Sequence, residues 1–158
     1  MIVEDLGSFA ESLAPLQPII GLDLGEKTIG VAASDGLLQA ANAVVTIKRK
    51  KFGVDAAQLL EIAQTRNAAG FILGLPRNMD GSEGPRCQSP RAFARNLSAL
   101  TDLPIGFWDE RLSTVAAERA LIEADLTRKR RKEIIDSVAA TYILQGALDR
   151  IRHIRAGT

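Results

Sequence analysis

The sequence predicts an α/β fold built on one mixed five-stranded sheet, in which three antiparallel strands form a meander, further strands pair in parallel, and helices cover both faces. Two patterns indicate this class. Short apolar runs joined by turn residues come first, and segments with strand and helix periodicity then alternate. The chain has 158 residues, the length of one ordinary domain. We place that domain at residues 18–150, with an N-terminal extension at 1–17 and a C-terminal tail at 151–158.

The three leading strands are predicted from apolar runs and the turns between them. Residues 19–24 are apolar apart from one acid, which is typical of a buried strand. Residues 25–28 are turn formers, so residues 29–34 are expected to complete a hairpin. A third strand is predicted where apolar residues alternate with their neighbours, at Ala43, Val45 and Ile47.

Helices and strands then alternate along the chain. Helical spacing of apolar residues predicts one helix near residues 56–63 and another near residues 93–100. Short apolar runs predict strands at residues 71–73 and 104–108. The stretch 77–90 is rich in Gly, Pro, Asn and Ser, and it is predicted to be a long loop.

Two predicted helices end the domain, and a basic run lies between them. Ser113 and Thr114 are good N-caps for a helix that runs to about Leu126, and the last helix covers residues 133–149. This basic run and an earlier one hold nine of the twenty Lys and Arg residues, at positions 128–132 and 48–51. Such clustering fits either a polyanionic partner or a solvated loop, and charge alone does not decide between them.

Composition excludes several functional classes. Hydrophobic residues make up 46% of the chain and charged residues 25%, and no apolar run approaches the ~20 residues of a membrane-spanning helix. The N-terminus is acidic and lacks the apolar core of a signal peptide, so we expect neither secretion nor a membrane partner. The single Cys87 excludes an internal disulfide and a cysteine zinc site, and the single His153 excludes histidine-rich metal chemistry. Any bound metal is therefore expected to be held by carboxylates.

Asp23 is the most informative acid in the sequence. It lies inside an apolar strand, where an ionised carboxylate is costly unless it is paired, hydrogen-bonded or bound to a metal. Alternation puts it on the same face as Gly21, where a helix or a ligand could approach closely. The alternative is an acid at a strand end that caps the following turn.

Asp136 gives a similar indication from the last helix. At about 100° per residue it shares a stripe with apolar residues. These are Ala139, Ala140, Ile143 and Ala147. A solvated acid is expected on the other face, so this position favours a functional role. The alternative is an acid that stabilises the first helical turn through the helix dipole.

Asp109 and Glu110 end the strand predicted at residues 104–108. Adjacent strand residues point to opposite faces, so only one of these acids can share a face with Asp23. The alternative for them is a strand-end acid paired with Arg111. Three carboxylates drawn from two strands and a helix suit Mg²⁺ or Mn²⁺, which can activate water and stabilise the leaving oxygen in phosphodiester cleavage.

Four segments together resemble the YqgF/RuvX family. In chain order they are GLDLGEKTIGVA (21–32), GLPRNMDGSEG (74–84), DERLST (109–114) and IDSVAA (135–140). The resemblance covers nearly all of residues 19–148, and it implies an RNase H-like fold in a cytoplasmic bacterial protein. It also implies a nuclease that matures the 5′ end of pre-16S rRNA and is similar to Holliday-junction resolvases.

Carried over by motif, the resemblance implies that Asp23, Glu110 and Asp136 are the catalytic and metal-binding residues, with Mg²⁺ or Mn²⁺ as cofactor. The substrate would be structured RNA, with branched DNA as the alternative. The residues expected to contact it are Lys27, Arg111, Arg128, Lys129, Arg130, Arg131 and Lys132. The resolvases have an acid at the end of the fourth strand, where Gly74, Leu75 and Pro76 stand here, and another where Ala139 stands, so we expect Glu110 to supply what the fourth strand lacks. The number of metal ions and the oligomeric state stay open.

Two other functions stay open as well. An actin-like nucleotide phosphatase has a similar hairpin motif around Asp23, Gly25 and Gly30, but such enzymes need two domains of this kind, and the length argues against it. A non-catalytic nucleic-acid-binding module would keep the basic runs but would gain nothing from Asp136 on an apolar helix face.

Overall fold

A mixed sheet forms the centre of the molecule. The computed structural model describes residues 1–112 and 128–157, with side chains described for 1–112 and 137–157. Its strands are β1 (Ile19–Leu24), β2 (Thr28–Ser34), β3 (Ala41–Lys48), β4 (Gly70–Leu75) and β5 (Ile105–Asp109). They lie in the order β3-β2-β1-β4-β5. The pairs β1–β2 and β2–β3 are antiparallel, and β1–β4 and β4–β5 are parallel. The predicted meander with parallel additions is confirmed.

Helices cover both faces of this sheet. On one face lie α1 (Leu6–Ser12) and α4 (Arg128–Arg155), and on the other lie α2 (Phe52–Arg66) and α3 (Gln88–Ser98). The helix predicted to begin near Ser113 lies outside the described residues. Within the two described ranges, no helix is long and apolar enough to cross a membrane.

Alternation along β1 separates two apolar cores. Ile20 and Leu22 face α2 and α3, whereas Gly21 faces α4. A Cβ at Gly21 would lie 2.7 Å from Leu144 Cβ and 3.2 Å from the carbonyl oxygen of Ala140. The strand glycine therefore admits a closely packed helix, as the sequence predicts.

The apolar stripe of α4 faces the sheet. Its buried members include Ala139, Ala140, Ile143 and Ala147. Gln145 Oε1 accepts a hydrogen bond of 2.9 Å from the backbone N–H of Ala41 at the start of β3, and Ala140 lies over Gly21. Since the start of β3 pairs with the end of β2, the N-terminal part of α4 extends towards the end of β1 that carries Asp23.

Several helix boundaries differ from the predictions. The last helix, predicted at residues 133–149, runs over Arg128–Arg155, so it includes the second basic run and the first residues of the predicted tail. The loop predicted at residues 77–90 is shorter, because Pro85–Cys87 form a 3-10 turn and α3 follows directly. Pro90 lies in the first turn of α3, where its missing N–H needs no partner. At its other end α3 stops before Leu100, which is exposed.

The third strand keeps the predicted alternation only at its end. The register between β2 and β3 shifts at Val31 and Ala32, which marks a β-bulge. Val45 is 37% exposed beyond this bulge, while Ile47 is buried. The strand is present as predicted, but its inward face is not a simple period of two.

The N-terminal segment packs against the sheet. The N–H of Ile105 donates to the carbonyl oxygen of Met1, and the N–H of Val3 donates to the carbonyl oxygen of Ile105, each at 2.8 Å. Phe9 of α1 is fully buried. This segment contains the helix α1, and the domain boundary at Pro18 stays a prediction.

Candidate functional site

The carboxyl ends of β1, β4 and β5 lie side by side at one end of the sheet. A cavity of about 390 Å³ opens there. Its lining combines acidic, basic and small residues, among them Asp23, Glu26, Glu110, Arg49, Arg86, Gly74 and Ser89. Because open α/β sheets place ligand sites outside the carboxyl ends of their strands, this cavity is the candidate site.

Asp23 enters the cavity from β1. It is paired across the sheet with Gly30, and its exposure is 7%. The sequence prediction of a buried acid in this strand is confirmed. Buried charges are paired, hydrogen-bonded or bound to metals, and a cation is one partner that this acid suits.

Glu110 reaches the same cavity across β4. A Cβ at Gly74 would lie 3.2 Å from both Cδ and Oε1 of Glu110, and 2.6 Å from Cδ1 of Ile143. The glycine at the end of β4 therefore leaves room for the Glu110 carboxylate. Glu110 thus lies over the end of β4, and its role in place of the missing acid stays a prediction.

Asp109 and Glu110 differ in a way that strand alternation did not predict. β5 ends at Asp109, and Glu110 begins a 3-10 turn that ends at Leu112. Asp109 pairs with Arg111, whose Nη2 donates to Oδ2 at 2.6 Å. This hydrogen bond is the main reason why the pKa of Asp109 lies below its ordinary value. The strand-end ion pair is thus made by Asp109.

A loop beside the cavity is tied to the end of β5. Nη1 of Arg111 donates to the carbonyl oxygen of Met79 at 3.2 Å, and Arg77 pairs with Glu83 at 3.4 Å. Glu83 is also paired with Arg91, and the side-chain hydrogen bond from Arg91 lowers the pKa of Glu83. These contacts fix the loop that connects β4 to the 3-10 turn at the start of α3.

The structure brings some of the predicted site residues together and leaves others untested. Asp23 and Glu110 share the cavity, Lys27 is exposed on the β1–β2 turn, and Arg111 is engaged by Asp109. The side chains of Asp136 and of the second basic run, at Arg128, Lys129, Arg130, Arg131 and Lys132, lie outside the described residues. Their roles therefore stay predictions.

Sequence reasoning missed two basic residues of the cavity. Arg49 belongs to the first basic run, but nothing in that run distinguished it from its lysine neighbours. Arg86 stands in the segment predicted to be a loop, and only the fold carries it to the cavity. A register argument could have found Arg49, because the pairing of Thr28 with Lys48 puts the next residue beside the hairpin turn.

The donor atoms of this cavity fit a hard divalent cation. Asp23 and Glu110 offer carboxylate oxygens, which Mg²⁺ and Mn²⁺ prefer. Among the side chains that the structure describes, no three acidic, histidine or cysteine groups cluster as a metal site. A third protein ligand would therefore come from elsewhere in the chain, as the sequence analysis expects of Asp136.

Comparison with known proteins gives a consistent result. The family model described as "RuvX: Holliday junction resolvase" matches residues 17–150. The chain is 67% identical over 156 residues to a protein of Ruegeria sp. (strain TM1040), and the match covers 99% of both chains. It is 65% identical over 154 residues to a protein of Paracoccus denitrificans (strain Pd 1222), with 98% of both chains covered. Both relatives carry the name "Putative pre-16S rRNA nuclease".

Solved structures show the same fold at low sequence identity. Thermus thermophilus RuvC in complex with a Holliday junction substrate is 14% identical with a TM-score of 0.53, and the match covers 90% of this chain and 97% of that one. A further structure of Thermus thermophilus RuvC has a TM-score of 0.52 at 14% identity, and the match covers 90% of this chain and 98% of that one. The predicted RNase H-like fold is confirmed.

Proposed function

The chain belongs to the RuvX family, and from this premise we propose that it is a metal-dependent nuclease that hydrolyses phosphodiester bonds of structured RNA in the 5′-end maturation of pre-16S rRNA. The names of its relatives support the enzyme class and the substrate. The observation that carries the proposal is the meeting of two acids from separate elements, Asp23 of β1 and Glu110 of the 3-10 turn after β5, in one cavity. This substrate would place the protein in the cytoplasm.

The acids of the cavity would hold Mg²⁺ or Mn²⁺. Asp23 would supply an oxygen ligand from β1, Glu110 another from the 3-10 turn after β5, and Asp136 a third from α4. When bound, such a cation can activate a water molecule and stabilise the leaving oxygen of a phosphodiester.

The fold supports this role by holding Asp23 and Glu110 in place. Asp23 is fixed by its strand and by burial, so its carboxylate is held in the cavity at little further entropic cost. Glu110 is directed over β4 by the space at Gly74 and follows directly on the Asp109–Arg111 pair. The N-terminal part of α4 extends towards the Asp23 end of β1, which agrees with a contribution from Asp136.

Cleavage of a 16S rRNA transcript with an extended 5′ end tests the proposal. We expect cleavage by the wild-type protein in Mg²⁺ or Mn²⁺ and none in EDTA. Asp23→Asn and Glu110→Gln should each lower turnover at least about a hundredfold, because each removes a charged ligand. Their circular dichroism spectra should remain those of the wild type.

Asp102→Asn is the matched control, because it removes an exposed acid that does not line the cavity. It should leave cleavage unchanged. Calorimetric titration with Mn²⁺ gives a second readout, in which heat of binding is expected from the wild type and lost in Asp23→Asn. Unchanged turnover in Asp23→Asn would exclude this site, and cleavage of a four-way DNA junction in place of the RNA would exclude the proposed substrate.

A further inference from the structure

Two arginines line the same cavity as the acids, and they differ from the other arginines around it. Arg77, Arg91 and Arg111 each pair with a carboxylate. Among the side chains of residues 1–112 and 137–157, Arg49 and Arg86 make no ion pair with a carboxylate. We propose that Arg49 and Arg86 form a phosphate-binding subsite for the nucleic-acid backbone, an inference that rests on the proposed nuclease function.

Arg49 is held in a fixed position beside the acid of β1. Its backbone N–H donates to the carbonyl oxygen of Lys27 at 2.8 Å, and its Nη1 donates to the carbonyl oxygen of Gly25 at 2.7 Å. Its guanidinium lies 5.9 Å from the centre of the Phe93 ring. These contacts attach the arginine to the turn that follows Asp23, so acid and base keep a constant spacing.

The guanidinium of Arg49 keeps donors for a ligand. A guanidinium carries five N–H groups in a planar fork, and the bond to Gly25 uses one of them. That fork matches two oxygens of a phosphate. Arg86 approaches from the 3-10 turn before α3, on a different element from the hairpin that carries Arg49, and its side chain is exposed. A phosphate between them would be contacted from two sides.

The charge of the cavity favours such a subsite. Asp23, Glu26 and Glu110 bring negative charge to the place where a phosphodiester must approach. A metal ion would neutralise the acids that bind it, but the phosphates beside the scissile bond would still be repelled by the remaining negative charge of the cavity lining. Arg49 and Arg86 are the described basic residues on the cavity wall, so they offset this repulsion.

Arg49→Gln and Arg86→Gln test the subsite on the 5′-extended 16S rRNA transcript. Each change should weaken binding about tenfold, since each removes a charge-assisted hydrogen bond. The magnitude of the slope of log K against log salt should fall by about one unit per lost phosphate contact. KM should rise and kcat should change little, because backbone binding is shared by the ground state and the transition state.

Lys50→Gln is the matched control. It removes the same charge from the same basic run, but Lys50 is exposed and does not line the cavity. Arg86 projects from the surface, so its variant tests the subsite even if Arg49→Gln fails to fold. Affinities of both arginine variants equal to that of Lys50→Gln, with wild-type cleavage intact, would reject the subsite and leave the proposed function standing. A wild-type protein that neither binds nor cleaves the transcript would contradict both.

Discussion

Asp109 and Glu110 show how two adjacent acids acquire different roles. Asp109 is the last residue of β5, and its carboxylate accepts hydrogen bonds from Nε and Nη2 of Arg111. Glu110 turns away in the 3-10 geometry and fills the space over Gly74. Asp109 therefore stabilises the end of the strand, and Glu110 lines the cavity.

The lowered pKa of Asp109 predicts how its contribution to stability depends on pH. Because its pKa in the folded protein lies below the unfolded value of about 3.9, the contribution is complete above that value and is lost as the pH falls through the folded pKa. Asp109→Asn should therefore be less stable than the wild type near neutral pH, and the difference should shrink below about pH 4. Urea denaturation at a series of pH values measures this. A difference that stays constant down to pH values well below 4 would contradict the assignment.

Residue chemistry was largely predictable from the sequence, while residue partners were not. Asp23 could be identified because an acid in an apolar strand is costly wherever that strand lies. Glu110 could be singled out only by resemblance, since strand alternation leaves Asp109 and Glu110 equivalent and cannot show where the strand ends. Arg86 could not be found, because its place depends on a turn that begins with a proline, which suggests a loop.

At the scale of elements, the contact between β1 and α4 positions the candidate site. Because Gly21 has no side chain, α4 packs closely on the strand: a Cβ added at Gly21 would lie only 2.7 Å from Leu144 Cβ. The same helix continues towards the end of β1 that carries Asp23. Any change that lifts the helix from the strand should therefore affect both stability and the site.

Gly21→Ala tests this coupling. The added methyl group meets backbone and a buried leucine, so it should cost about 1–3 kcal/mol and should also lower cleavage. Denaturant unfolding and the transcript assay measure the two effects. Gly53→Ala in α2 is the control, since no atom lies within 4 Å of its added Cβ, and it should leave stability unchanged or raise it by up to about 1 kcal/mol. Equal behaviour of both variants would show that the contact does not position the site.

Element type was easier to predict than element boundary. The hairpin of β1 and β2 follows from two apolar runs and a short turn, which are local signals. The start of α3 was missed because Pro85 and Pro90 are typical of loops, although both are compatible with the first turn of a helix. The bulge in β3 was missed because it depends on pairing with β2, and no local pattern records it.

At the scale of the whole molecule, the N-terminal segment completes the core on the α4 side of the sheet. Phe9 lies against two glycines of neighbouring strands, because a Cβ would come within 3.2 Å of its ring at Gly70 and within 2.9 Å at Gly106. The sequence did not predict this packing. Phe9 stands in a segment without periodicity, and no local pattern indicates that it packs against Gly70 and Gly106, which lie far along the chain.

Phe9→Ala measures the contribution of the segment. Removing a fully buried ring should lower the free energy of unfolding by about 3–5 kcal/mol. Chemical denaturation gives the value directly. Leu37→Ala, at a side chain that is 63% exposed, should change stability by no more than about 0.5 kcal/mol. Similar values for the two variants would mean that the segment is only loosely attached.

The hydrogen bonds between Ile105 and the first residues cover part of the outer edge of β5. An outer strand with unpaired N–H and C=O groups is a template on which another polypeptide can add. Met1 and Val3 occupy those groups at Ile105 and cover this part of the edge. Proteolytic trimming of a few N-terminal residues would uncover it, and the trimmed protein would then be prone to intermolecular β-pairing even while its own sheet stayed folded.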